Sequence, residues 1–138
     1  MKKVLILCTG NSCRSQMAEG LLKYFSPNTQ VYSAGTKPED VNPFAVEVMA
    51  NIGIDIADFK SNHADEYADI DFDFVFTVCD NAKEICPIYP KAKQLIHHSF
   101  SDPADAIGTK EEQLLVYRQV RDQIKDYMQN FAENNLNK

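Results

Sequence analysis

The feature that most constrains the fold is a short apolar run near the N-terminus that ends in a loop of small polar residues. Residues 4–7 are Val, Leu, Ile and Leu, and the segment from Cys8 to Ser15 follows at once. An uninterrupted apolar run of this length is typical of a strand that is buried on both faces of a parallel sheet. The next apolar residues recur at helical spacing, so the pattern predicts a strand, a loop and a helix in this order.

The alternation of strand and helix continues along the chain. Val31 to Ala34 predicts a second strand that ends at Gly35. Asn42 followed by Pro43 predicts a helix N-cap and first turn, and Gly53 suits the C-terminal cap of that helix.

The second half of the chain predicts a short helix near Ala64 to Ala68 and a central strand at Phe72 to Val78. Lys93 to His97 predicts a last strand, and apolar residues at helical spacing from Leu114 to Phe131 predict a closing helix. We therefore expect an α/β fold of three layers, with about four parallel strands and helices on both faces. Folds of this class bind their ligands at the carboxyl ends of the strands.

Length and charge exclude several classes of protein. The 138 residues fit one domain, so we expect 1–138 to form a single catalytic domain. A formal net charge of -6 argues against a nucleic-acid partner, which requires clustered cations. The N-terminal apolar run is shorter than the roughly 7 to 15 residues of a signal peptide, and no stretch approaches the roughly 18 of a membrane helix. We expect a cytoplasmic protein with no membrane partner.

The four cysteines, Cys8, Cys13, Cys79 and Cys86, form no Cys-x-x-Cys pair. Their spacing does not match the usual ligand sets of structural zinc, and in a reducing compartment it indicates catalysis or redox chemistry. The adjacent pair His97-His98 is expected to be structural or to lie on the surface, because neighbouring strand residues face opposite sides.

The loop between the first strand and the first helix predicts an anion site. Its amide N–H groups and the helix dipole favour negative charge, and Gly10 tolerates a tight backbone. Arg14 offers a planar fork for two oxygens of a tetrahedral anion. The same field lowers the pKa of the Cys8 thiol and makes it a nucleophile, to which Ser15 could donate a hydrogen bond. The predicted oxyanion-binding residues are Thr9, Gly10, Asn11, Ser12, Cys13 and Arg14.

These residues carry a family resemblance. Cys8 to Ser15 resembles the Cys-x5-Arg-Ser loop of low-molecular-weight protein tyrosine phosphatases, and the longer string CTGNSCRSQMAEG resembles that of thioredoxin-coupled arsenate reductases with the same fold. The resemblance implies that Asp102, in Asp102-Pro103, is the general acid. It also implies that Cys79 and Cys86 are a redox pair, which ordinary tyrosine phosphatases lack.

The resemblance implies a reaction as well. Cys8 attacks arsenate, Cys79 attacks Cys8 and releases arsenite, and Cys86 closes a disulfide with Cys79. A thioredoxin, or a glutaredoxin, then supplies the reducing equivalents, so no bound cofactor is needed. The oligomeric state is open, with a monomer as the default expectation.

Two alternative functions stay open at this point, and so does the role of Cys13. The chain could be a phosphotyrosine phosphatase that uses Cys8, Arg14 and Asp102 with water as the second nucleophile. It could also be a redox-sensing module that binds an anion without turnover. Cys13 either fills space or protects Cys8 by forming a disulfide with it.

Two departures from the phosphatase pattern favour arsenate. Gln16 replaces a proline that often follows Arg-Ser, and no tyrosine pair follows Asp102-Pro103. Some relatives bind potassium through residues matching Asn11, Glu19 and Ser33. Here the further ligand segment near Lys60 to Asn62 has no matching carboxylate, so we assign no metal and keep an ordinary exposed Glu19 as the alternative.

Overall fold

The computed structural model describes residues 1–78 and 92–137. The strands and helices follow one another as the βα alternation predicts. The elements are β1 (Lys3–Cys8), α1 (Arg14–Phe25), β2 (Gln30–Gly35), α2 (Pro43–Ala50), a 3-10 helix (Ala64–Tyr67), β3 (Phe72–Thr77), β4 (Ala92–His97), a second 3-10 helix (Pro103–Asp105), α3 (Lys110–Phe131) and a π-helical turn (Ala132–Leu136).

The four strands form one parallel sheet in the order β2-β1-β3-β4. β1 and β3 are the inner strands, which explains why their sequences contain so few polar residues. The prediction of a parallel sheet with a central strand at Phe72 to Val78 is confirmed. Because all strands run in the same direction, their carboxyl ends meet at one edge of the sheet.

The two faces of the sheet are covered differently. Val4 and Ile6 point toward a core shared with α1, α2 and α3, and this core includes Met17 and Ile124. Leu5 and its neighbours on the opposite face pack in a smaller cluster with side chains of the 3-10 helix Ala64–Tyr67. Side chains of successive strand residues point to opposite faces, so one apolar strand serves both layers.

Local signals place several helix ends. The Asn42 side chain accepts a hydrogen bond of 2.8 Å from the Phe44 amide, and Pro43 is the first residue of α2. Gly53 adopts φ +80° just beyond the helix and donates to the Ala50 carbonyl oxygen, as a residue that ends a helix does. No helix in residues 1–78 and 92–137 combines the length and apolarity needed to cross a bilayer.

Candidate active site

The predicted anion loop lies at the carboxyl edge of the sheet. Cys8 is the last residue of β1 and is 3% exposed, and Arg14 is the first residue of α1 and is equally buried. Residues 9–13 connect the two. A loop that joins a buried inner strand to a helix N-terminus brings amide N–H groups and the positive end of the helix dipole to the same point.

The tight conformation in this loop belongs to Asn11 and not to Gly10. Asn11 has φ 48°, whereas Gly10 is not among the residues with positive φ, so the expectation that Gly10 supplies the tight backbone of the loop is wrong. The side-chain Nδ2 of Asn11 donates to Ser15 Oγ at 2.8 Å and to Ser33 Oγ at 2.9 Å, and its Oδ1 accepts from the backbone amide of Asn62 at 2.8 Å. These bonds hold Asn11 in a left-handed backbone conformation, which L-amino acids seldom adopt.

Two further side chains hold the main chain of Asn11. Gln16 Nε2 donates to the Asn11 carbonyl oxygen at 2.9 Å and to the Lys60 carbonyl oxygen at 3.1 Å. Ser61 Oγ donates to the same Asn11 oxygen at 2.7 Å and also contacts the Glu39 carbonyl oxygen. Both side chains act across segments that are distant in sequence, so local sequence patterns mark Gln16 only as a departure from a proline and do not mark Ser61 at all.

A segment after β2, residues 37–42, forms the outer wall of the loop. Its amides donate to loop carbonyl oxygens in the pairs Lys37–Thr9 (3.0 Å), Glu39–Gly10 (2.8 Å) and Asn42–Ser12 (3.1 Å). The Ser12 hydroxyl in turn donates to the Asp40 carbonyl oxygen at 2.9 Å. We call residues 37–42 the outer wall below.

The outward bonds of the carbonyl groups orient the amides. In a planar trans peptide the C=O and N–H point in opposite directions, so outward carbonyls at residues 9–12 leave the amides of residues 10–13 pointing inward. Within residues 1–78 and 92–137, none of these four amides has a hydrogen-bond acceptor. Such a ring of inward N–H groups is a nest for an anion.

Gly35, at the end of β2, permits the close approach of this loop. A Cβ atom at position 35 would lie less than 3.0 Å from the carbonyl oxygens of Cys8 and Thr9. In the sequence, Gly35 is predicted only to end a strand. The structure shows that any larger side chain would push against the first residues of the anion loop.

Asp102 reaches the loop from the far end of the chain. Arg14 Nη2 lies 3.5 Å from Asp102 Oδ2, and Arg14 Nη1 donates to the Phe100 carbonyl oxygen at 3.2 Å. Asp102 Oδ1 accepts from the Ala104 amide at 3.0 Å and so caps the 3-10 helix Pro103–Asp105. The Asp102 side chain is 29% exposed, which leaves it open to the cavity that the loop surrounds.

A cavity of about 300 Å³ brings the predicted residues together. It is lined by Cys8, Thr9, Gly10, Asn11, Ser12, Cys13, Arg14, Glu39, Asn42, Asp102, Ala104 and Asp105. The Cys8 thiol, the inward amides of the loop, the Arg14 guanidinium and the Asp102 carboxyl group therefore face one space. This arrangement suits attack of a thiolate on a tetrahedral oxyanion, with a nearby group that can transfer a proton.

Cys13 differs from Cys8 in its chemical environment. Burial, with a smaller contribution from the Asp102 carboxylate, raises the pKa of the Cys13 thiol from 9.0 to about 11. Its Sγ lies 3.9 Å from the Tyr117 hydroxyl. A thiol with this pKa is neutral at pH 7, which favours packing over the alternative of a reactive, protective thiol.

The residues of the possible potassium site form one cluster beneath the loop. Ser33 Oγ donates to Glu19 Oε1 at 2.6 Å, and Ser33 is bonded to Asn11 as described. Glu19 is 8% exposed, so the alternative of an ordinary exposed helix residue is wrong. Lys23 Nζ donates to Glu19 Oε2 at 2.7 Å and already places a cation against this carboxylate.

The remaining candidates lie away from the cavity or outside the described residues. His97 Nδ1 lies 2.6 Å from Thr77 Oγ1, while the His98 ring stacks on Tyr127 with centroids 4.2 Å apart. The two imidazoles thus have separate structural partners. Cys79 and Cys86 lie outside the described residues.

Comparisons with known proteins agree on one family. The family described as low molecular weight phosphotyrosine protein phosphatase matches residues 3–138. An arsenate reductase of Halalkalibacterium halodurans is 47% identical over 133 residues, which cover 96% of each chain. A solved structure titled as an arsenate reductase in the phosphate binding state has a TM-score of 0.82 and 33% identity, covering 97% of this chain and 98% of its own. Another, titled as an arsenate reductase in oxidized state, has a TM-score of 0.82 and 30% identity, with the same coverage.

Proposed function

Because the chain belongs to the low molecular weight phosphotyrosine protein phosphatase family, we propose that it is an arsenate reductase in which Cys8 is the nucleophile. The observation that carries the proposal is the single cavity in which Cys8, Arg14, Asp102 and four inward amides meet. Relatives named arsenate reductase, matched over nearly their whole length, support arsenate as the oxyanion.

The first step forms a bond between Cys8 Sγ and arsenic. The inward amides and Arg14 hold the arsenate oxygens and stabilise the charge that gathers on them in the transition state. One As–O bond breaks, and Asp102 gives a proton to the departing oxygen, which leaves as water. Ser15 accepts a hydrogen bond from Asn11 and keeps its own proton to donate to Cys8.

The second step reduces arsenic. The Cys79 thiolate attacks Cys8 Sγ, the electron pair of the S–As bond stays on arsenic, and As(V) leaves as As(III) in arsenite. Cys8 and Cys79 are then joined by a disulfide. Cys86 attacks Cys79, which frees Cys8 and leaves a Cys79–Cys86 disulfide. A dithiol partner of the thioredoxin or glutaredoxin type restores both thiols, so two electrons balance the cycle.

Support for this relay comes from the sequence position of the pair. The described chain reaches Val78, whose amide donates to the carbonyl oxygen of Leu7 at 3.0 Å, and Leu7 immediately precedes Cys8. Cys79 is the next residue in the sequence. Electrons that come from a partner protein require no bound cofactor. We propose that the protein works as a monomer in the reducing cytoplasm.

Phosphatase activity is the second candidate, because the family and the loop are shared with tyrosine phosphatases. In that reaction Cys8 attacks phosphorus, and water replaces Cys79 as the second nucleophile. Both reactions begin with the same attack, so a slow phosphatase reaction can accompany arsenate reduction. A redox-sensing module would oxidise Cys79 and Cys86 but release no arsenite.

The test follows NADPH oxidation by the purified protein with arsenate, thioredoxin and thioredoxin reductase. A parallel assay with glutaredoxin and glutathione identifies the reductant, and hydrolysis of p-nitrophenyl phosphate reports the phosphatase reaction. We expect arsenate-dependent NADPH consumption that Cys79→Ser and Cys86→Ser abolish, while phosphate release survives in both variants. Cys8→Ser should abolish both reactions. Phosphate release with no arsenate turnover in the wild type would identify a phosphatase.

A further inference from the structure

Glu39 stands at the mouth of the cavity with its carboxyl group close to the anion loop. A Cβ atom built on Gly10 would lie 3.7 Å from Glu39 Cδ and 3.8 Å from its Oε2, which is van der Waals contact. Glu39 also lines the cavity directly. Nothing in the sequence marks a lone glutamate after a strand as part of a site.

The main chain holds Glu39 in this place. Its amide donates to the Gly10 carbonyl oxygen at 2.8 Å, and its own carbonyl oxygen contacts the Ser61 hydroxyl. The side chain makes no hydrogen bond or ion pair within residues 1–78 and 92–137. The hydrogen-bonded backbone therefore fixes the point from which the Glu39 side chain extends. No cation of the described chain neutralises the carboxylate.

The charge at the mouth opposes the charge at the floor. Arg14 is the only cationic residue among the described residues that line the cavity, and it is buried at the base. A free tetrahedral oxyanion is drawn to Arg14 and the inward amides, past the Glu39 carboxylate. When the oxyanion is part of a larger substrate, the rest of that substrate lies at the mouth of the cavity, beside the Glu39 carboxylate.

We propose that Glu39 is a specificity-determining residue that disfavours substrates with negative charge next to the reacting oxyanion. The inference rests on the proposed function only in that the cavity binds a tetrahedral oxyanion. Small free oxyanions are admitted, and among phosphate esters those with cationic neighbours bind better than those with acidic ones. The carboxylate acts on the surroundings of the oxyanion and leaves the attack by Cys8 itself unchanged.

The size of the effect follows from simple electrostatics. Two unit charges about 4 Å apart in a watery environment interact by about 1 kcal/mol, which is about fivefold in a binding constant. Glu39 is exposed, so salt should screen most of this interaction at an ionic strength of about 0.5 M or more. If the effect of Glu39→Gln on binding disappears at high salt, the effect comes from charge and not from a change in the shape of the cavity.

The experiment measures binding to Cys8→Ser protein, which cannot form the covalent intermediate. Calorimetric titration gives Kd for inorganic phosphate and for two phosphotyrosine peptides that differ only in having Lys or Glu beside the phosphotyrosine. The same titrations are made with Glu39→Gln added, and with Asp40→Asn as a matched control. Asp40 is the next residue and has the same charge, but its side chain does not line the cavity.

We expect the Lys peptide to bind more tightly than the Glu peptide, and Glu39→Gln to reduce that ratio by up to about 25-fold, because the fivefold attraction of Lys and the fivefold repulsion of Glu are both lost. Asp40→Asn should leave the ratio within about twofold, and about 0.5 M salt should shift the ratio of the protein that keeps Glu39 most of the way to that of the Glu39→Gln protein. An unchanged ratio in Glu39→Gln overturns the role of Glu39, as does binding of phosphate with no binding of either peptide. Failure of phosphate itself to bind would instead refute the proposed function.

Discussion

Replacing Gln16 by leucine should weaken oxyanion binding by the anion loop while leaving the stability of the fold nearly unchanged. Gln16 is fully buried, and its Nε2 donates to the carbonyl oxygens of Asn11 and Lys60. Its Oε1 is also buried and has no hydrogen-bond partner within the described chain. Leucine has nearly the same size and removes the two bonds together with the unpartnered oxygen.

The expected change in stability is small because two effects oppose each other. Loss of two hydrogen bonds costs about 2 kcal/mol, and removal of a buried polar atom with no partner returns about 1 to 3 kcal/mol. The free energy of unfolding should therefore change by no more than about 1 kcal/mol. Oxyanion binding should weaken, because the Asn11 carbonyl keeps only the bond from Ser61, and its peptide carries the inward amide of Ser12.

Urea denaturation and calorimetric titration of phosphate measure the two quantities on the same protein. One lost anchor of about 1 kcal/mol corresponds to about fivefold weaker phosphate binding. Gln16→Glu is the control, since a carboxylate would face two carbonyl oxygens and should weaken both stability and binding. The reasoning is refuted if Gln16→Leu binds phosphate as tightly as the wild type, or if it loses more than about 2 kcal/mol of stability.

Three further predictions use other parts of the site. Gly35→Ala should lower the free energy of unfolding by about 1 to 3 kcal/mol and weaken phosphate binding, because its Cβ presses on the Thr9 carbonyl; urea titration and calorimetry check this. Alkylation of Cys13 by iodoacetamide, followed by mass spectrometry, should stay slow at neutral pH and accelerate only toward pH 11. The contribution of its neutral thiol to stability is present below pH 9 and is lost as pH rises to about 11; rapid labelling at pH 7 would contradict the buried thiol. Exchange of NaCl for KCl should leave the Tm of the wild type unchanged but raise that of Lys23→Met, where potassium can replace the ammonium against Glu19; equal responses would argue against this.

Much of the local structure could be predicted from short stretches of sequence. The order of β1, loop and α1 follows from an apolar run, small polar residues and helical spacing within the first 25 residues. The start of α2 at Pro43 follows from Asn42 in the same way. These signals are reliable because the interactions that produce them join residues only a few positions apart.

The conformation of the anion loop shows where local reasoning stops. Glycine is the usual residue at positive φ, yet Asn11 adopts it while Gly10 does not. Hydrogen bonds that join Asn11 to Ser33 and Asn62, far along the chain, offset the energetic cost of this conformation. No window of sequence around residue 11 contains those partners.

The sequence by itself predicted the kind of chemistry from a thiol and an arginine at a strand-to-helix junction, and the family resemblance added Asp102 as the proposed acid. Only the tertiary structure decided which distant groups join them. It placed Asp102 3.5 Å from Arg14 across 88 positions and set Glu39 at the mouth of the cavity. It also buried Glu19 against Ser33 and Lys23. The physical reason is that Cys8, the anion loop and the first turn of α1 are neighbours in the chain. Asp102, the outer wall and the cluster beneath the loop are brought together only by the parallel order β2-β1-β3-β4.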